Sequence, residues 1–226
     1  MTQAKDNDAV SSSVVLEDLP WVQDMLREGG WEQTTPTSAL LEQHGISAHD
    51  NLLGTFLHLG LLRSQACLYH PERHQYCSIF SLGDRICGHP KIVHGGFTAA
   101  LMDDAFGAIV YISKEKGHVD PGAAFTVHLE VDYKAPVPAG NVICCTTEIS
   151  RIEGRKIFGA ATVADKPGGT TYASGSAIFV NPKPKSAAAL SGIQGGPNMR
   201  VTKGSEAAPQ SNENEARKAD ANGNVH

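Results

Sequence analysis

Cysteine is scarce here: five in 226 residues, an odd number at irregular spacing. That excludes a disulfide framework of the secreted kind, and reduced thiols in a cytoplasmic protein are expected. Long apolar runs are missing too; the longest are too short and too interrupted to span a bilayer, so no membrane span is expected. Positive charge is in deficit, 19 Lys and Arg against 24 Asp and Glu, and it is scattered. A nucleic-acid groove is therefore not expected. The opening MTQAKDNDAVSSSVV has no arginine and no apolar run, unlike a secretory signal or a mitochondrial presequence. The final NVH is not a peroxisomal tripeptide. Cys87, His89 and His94 fit no closed zinc spacing, nothing marks Cys87 as an activated nucleophile, and no metal or cofactor is expected.

What is present suffices for one sizeable core. Residues 1–15 are polar and read as disordered, and residues 16–60 read as an N-terminal helical extension. In that extension Leu19, Val22, Met25 and Leu26 follow helical spacing, predicting a helix over 16–28, with Pro20 in its first turn and Gly29-Gly30 ending it. Residues 31–50 read as a connector with a short helix near 38–43, and a further helical turn is expected at 51–57. The main domain is expected over 61–180. Strands at 61–69 and 75–82 are separated by a hairpin-like break. A long, mostly buried helix runs from Gly95 to about Ser113, and strands follow at 123–133, 142–152, 156–165 and 170–180, joined by short Gly- and Pro-bearing turns. Cys144 and Cys145, adjacent on one strand, should point to opposite faces. The pattern predicts an α+β fold, an antiparallel sheet wrapped around one central helix. Residues 181–226, lacking aromatics and rich in Ser, Ala, Gly, Asn, Lys and Glu, read as a disordered tail.

Chemistry concentrates at the start of the long helix. His94 precedes the pair Gly95-Gly96, and Asp103 follows inside the apolar stretch. Glycines let a substrate approach the backbone, and the first N–H groups of a helix have no intrahelical partner and sit at its positive end. A carbonyl placed there would have its developing oxyanion stabilised. Asp103, about two turns further on, has the chemistry to orient or deprotonate a water. Asp104, next to it, suits a structural role, facing solvent or pairing with a lysine.

The run HGGFTAALMDDAFG resembles the hotdog thioesterases of the phenylacetyl-CoA thioesterase-like group, in which His-Gly-Gly is followed after six residues by Asp. The segments TVHLEVDYKAPVP (126–138) and RIEGRKIF (151–158) look most like the mammalian thioesterase-superfamily acyl-CoA thioesterases, and the likeness covers roughly 61–180. The resemblance implies a hotdog fold, hydrolysis of acyl-CoA thioesters in lipid metabolism, and a homodimer or dimer of dimers. It implies that His94 and Gly95, with Gly96, hold and polarise the thioester carbonyl and that Asp103 is the catalytic carboxylate. Thr126 would face the site across the dimer interface and position water or substrate. Arg155 and Lys156 lie where a basic turn could meet coenzyme A phosphates, or form an ordinary solvated turn. Asp132 replaces an asparagine of the mammalian relatives and would add negative charge near the site. Release of an acyl chain from a carrier protein, and non-catalytic acyl binding, remain alternatives.

Overall fold

A computed structural model describes residues 14–183 apart from 28, 44, 46, 48 and 49. The two ends expected to be disordered, 1–15 and 181–226, lie outside the described residues except for 14, 15 and 181–183. The order is a 3-10 turn at Leu16–Asp18, then α1 (Pro20–Arg27), β1 (Glu32–Thr34), α2 (Thr37–Gln43), α3 (Leu52–His58), β2 (Leu62–His70) and β3 (Gln75–Leu82). There follow β4 (Cys87–His89), β5 (Ile92–Val93), α4 (Gly95–Glu115), β6 (Phe125–Tyr133), β7 (Val142–Glu153), β8 (Lys156–Ala164) and β9 (Thr171–Val180).

The predicted helix over 16–28 is divided. Leu19 is extended (φ −61°, ψ 132°), as the residue before a proline prefers, so the helix restarts at Pro20, where a missing N–H costs nothing. Asn51 caps α3 by accepting from Gly54 N at 2.6 Å. Two elements were not anticipated. β1 is a three-residue strand that pairs with β2 through Glu32↔Tyr69 and Thr34↔Cys67, and β4 and β5 form a small hairpin within the loop before α4.

Seven strands form one antiparallel sheet in the order β1-β2-β3-β7-β8-β9-β6. The sheet wraps α4, whose Leu101, Met102, Phe106 and Ile109 are buried with Tyr76, Phe80, Ile143, Cys145, Ile157 and Phe179. Glycines admit the closest contacts. A Cβ on Gly159 would stand 2.8 Å from the Phe106 ring, and one on Gly175 2.7 Å from Met102 and 2.5 Å from the Glu130 carbonyl.

The opposite face of the sheet is covered by the N-terminal segment. Leu16, Val22 and Met25 pack on Leu68, Cys77, Ile79 and Cys144. Cys144 and Cys145 thus point to opposite faces as alternation requires, and all five cysteines are free thiols. Among the described residues no helix is long and apolar enough to cross a membrane.

The two sheet edges differ. β1 is short and polar, whereas β6 pairs only with β9 and is exposed along most of its length, Phe125, Val127 and Tyr133 among its exposed residues.

Candidate functional site

The start of α4 is fixed by His94. Its backbone is extended (φ −62°, ψ 132°), and its Nδ1 accepts the Gly96 N–H at 3.0 Å. The Phe97 and Thr98 N–H groups donate to His94 O at 2.9 and 3.2 Å, and His94 N donates to Ile86 O at 2.8 Å. Among the described residues this leaves Gly95 N–H as the helix-start donor without a partner, at the positive end of the helix. Because Nδ1 uses its lone pair on Gly96, the neutral ring carries its hydrogen on Nε2. His94 is exposed, so its Nε2–H is a second donor at this helix start.

Tyr133, at the far end of β6, reaches over this turn and donates from Oη to Gly95 O at 2.7 Å. A cavity of about 390 Å³ opens beside it, lined by His89, Val93, Gly95, Tyr133, Pro136 and Val137 among others. Asp132, next to Tyr133, lies 3.5 Å from Lys134, so its charge is partly met at this end of β6.

Asp103 lies on the half of α4 that faces the start of β6. Thr126 Oγ1 donates to Asp103 Oδ1 at 3.0 Å, which fixes the carboxylate and leaves Oδ2 to address water. Thr126 thus meets the carboxylate of its own chain. The helix also sets a distance. Eight residues of helix separate Gly95 from Asp103, about 12 Å at the helical rise. One carbonyl cannot be held by the first and attacked by a water on the second within a single chain.

Asp104 is not the solvent-facing or lysine-paired residue that was expected. Its Oδ2 is sealed from solvent without a hydrogen-bond partner, and among the described residues it joins no ion pair. Burial pushes its carboxyl up from 3.8 to about 7, the charge of Asp103 adding to the effect. It faces the sheet side, where its charge opposes ionisation of Cys67, Tyr76 and Cys145.

Arg155 lies in the turn between β7 and β8, and Lys156 opens β8. Arg155 Nη1 donates to Asn181 O at 2.9 Å. Lys156 pairs with Val180, which in turn pairs with Phe125, so this turn lies at the Thr126 end of the sheet and away from Gly95 of the same chain. Of the anticipated residues, the fold joins His94, Gly95 and Gly96 at one end of β6 and Asp103 with Thr126 at the other. Tyr133 was not singled out; its only sequence signal is its place in the segment 126–138.

Comparisons with known proteins bear on this arrangement. Residues 90–172 match the thioesterase superfamily. Acyl-coenzyme A thioesterase THEM4 of Mus musculus is 29% identical over 126 residues, 56% of this chain and 51% of that one. Its counterpart in Xenopus laevis is 31% identical over 117 residues, 50% of this chain and 49% of that one. The chain spans about half the length of these curated relatives. A crystal structure of a thioesterase superfamily protein is 24% identical with a TM-score of 0.44, covering 52% of this chain and 53% of that one.

Proposed function

Because the chain carries a thioesterase-superfamily domain of hotdog fold, we propose that it hydrolyses acyl-CoA thioesters, at sites built from two copies of the chain. The observation that carries this reading is the division of one machinery between the two ends of β6. Two free donors stand at the Gly95 end and a hydrogen-bonded carboxylate at the Thr126 end.

β6 is an unpaired, largely exposed edge, and such an edge invites pairing with another strand. Antiparallel pairing of two β6 strands about their middle sets the Thr126 end of each against the Tyr133 end of the other. Asp103 of one copy then faces Gly95 of the second, and the distance of about 12 Å within one chain ceases to matter. Two equivalent sites result.

In each site the thioester oxygen accepts from Gly95 N–H and His94 Nε2–H. Asp103, held by Thr126, takes a proton from water as the water oxygen bonds to the carbonyl carbon. Negative charge grows on the thioester oxygen, where the two donors stabilise it. Collapse of this intermediate breaks the carbon–sulfur bond, and the coenzyme A thiolate leaves with the proton Asp103 collected. The free acid remains. The relatives' names, acyl-coenzyme A thioesterase, support the same substrate class.

The test is a hydrolysis screen over acyl-CoA chain lengths, with acyl-carrier thioesters in parallel and Asp103→Asn as control. Wild-type protein is expected to release free thiol from acyl-CoA. Asp103→Asn should lose on the order of 100-fold or more in kcat, the scale of a general base, with an unchanged thermal midpoint. Turnover of carrier-bound chains alone would move the substrate to the carrier protein. A variant as fast as wild type, or a wild type that binds acyl-CoA and never cleaves it, would refute the mechanism.

A further inference from the structure

Gly95 and Gly96 pose a mechanical problem. Two adjacent glycines have the widest backbone freedom of any residue pair, yet a useful oxyanion donor must hold its direction before the charge develops. The peptide plane between them is gripped from both sides. On the nitrogen side, Gly96 N–H donates to His94 Nδ1 at 3.0 Å. On the oxygen side, Gly95 O accepts from Tyr133 Oη at 2.7 Å.

Both grips come from outside the helical ladder, one from the capping residue and one from β6. A plane held at both atoms cannot rock about its Cα–Cα axis. The Gly95 N–H belongs to the preceding plane, whose oxygen, His94 O, accepts from the Phe97 and Thr98 N–H groups at 2.9 and 3.2 Å; with the following plane held as well, rotation at Gly95 is restrained from both sides. The Tyr133 ring also fills the space beside Gly95. A Cβ placed there would meet Tyr133 Cζ at 3.1 Å, Oη at 3.2 Å and Cε1 at 3.3 Å. Any larger residue at 95 would therefore push the tyrosine ring aside by a few tenths of an ångström.

We infer that Tyr133 is a positioning residue for thioester hydrolysis, acting through the Gly95–Gly96 peptide to fix the direction of the Gly95 N–H. This rests on the reading that Gly95 N–H holds the thioester carbonyl. Tyr133 itself stands on the edge strand, 54% exposed, so its removal leaves no cavity in the core. The direction of the donor matters most when charge has formed on the oxygen, so losing the grip should lower kcat and leave KM in place.

The experiment compares wild type, Tyr133→Phe, Gly95→Ala and the double variant in steady-state acyl-CoA hydrolysis, with thermal unfolding of each. Tyr133→Phe should lower kcat by roughly threefold to tenfold, the worth of one hydrogen bond, at constant KM and constant thermal midpoint. Gly95→Ala already displaces the ring, so adding Tyr133→Phe to it should cost little more; the double-mutant cycle is expected to be strongly non-additive. Wild-type kcat in Tyr133→Phe, or additive losses in the cycle, would overturn the assignment while leaving the thioesterase reading intact. A loss confined to KM or to the thermal midpoint would overturn it as well, by assigning Tyr133 to substrate binding or to the fold. If wild type cleaves no thioester, both readings fall together.

Discussion

Replacing Asp104 by Asn removes a charge that the fold is poorly built to hold. The carboxyl sits with one oxygen sealed from water and unpartnered, and burial pushes it up from 3.8 to about 7. The folded protein therefore binds this proton more tightly than the unfolded chain does. Well below 3.8 both states are protonated and the group is neutral in its effect. As pH rises from 4 to 7 the unfolded chain releases the proton first, so stability falls, and above 7 the loss is complete. A difference of about three pH units corresponds to about 4 kcal/mol, a large share of the roughly 5–15 kcal/mol that holds a typical domain together. Asp104→Asn keeps the shape and abolishes the titration. Urea unfolding at pH 5 and pH 8.5 should show the variant more stable than wild type by about 1.5 kcal/mol at the lower value and by up to about 4 kcal/mol at the higher. Wild type should lose stability across that interval, the variant much less. Parallel pH profiles for the two proteins would refute the reasoning, because they would show that Asp104 reaches water or a cation when it ionises.

Two further outcomes follow from the geometry. Separately inactive Asp103→Asn and Gly95→Val chains, mixed in equal amounts and allowed to exchange subunits, should regain about a quarter of wild-type activity, since each mixed dimer holds one intact site; a mixture that stays inactive would place each whole site within one chain. Gly159→Ala sets a methyl group 2.8 Å from the Phe106 ring and should cost about 1–3 kcal/mol by overpacking, measured by denaturant unfolding and relieved by Phe106→Leu.

Much of this arrangement could be read in the chain itself. The apolar stretch after Gly96, interrupted only by Asp103 and Asp104, predicts α4, and strand-like runs joined by short turns predict β6 to β9. Spacing and resemblance single out His94, Gly95, Asp103 and Thr126, and the fold brings the last two into contact. β1 was not: Glu32-Gln33-Thr34 has no apolar alternation, and it is a strand only because β2 offers it a free edge. Asp104 misled because a carboxylate in a sequence suggests water or a cation, while its burial is set by the strands that α4 packs against. The side from which Thr126 arrives depends on how β6 lies along α4, a tertiary relation that no local pattern encodes. The stretch of about 12 Å between Gly95 and Asp103 follows from the helix alone, yet its meaning emerges only when β6 is found to be an open edge.

The strand order has a consequence for how kinship should be separated from cooperativity. The stretch shared with the thioesterase superfamily, 90–172, starts after β3 and stops at the beginning of β9. Yet β3 lies between β2 and β7 in the sheet, and β9 lies between β8 and β6. A chain trimmed to the shared stretch would strip β7 of one of its two neighbours and leave β6 with almost nothing to pair with. It would also bare the face that Leu16, Val22 and Met25 cover. Ancestry here is recorded in a segment without partners on either side, and the packed body it belongs to reaches back to Leu16.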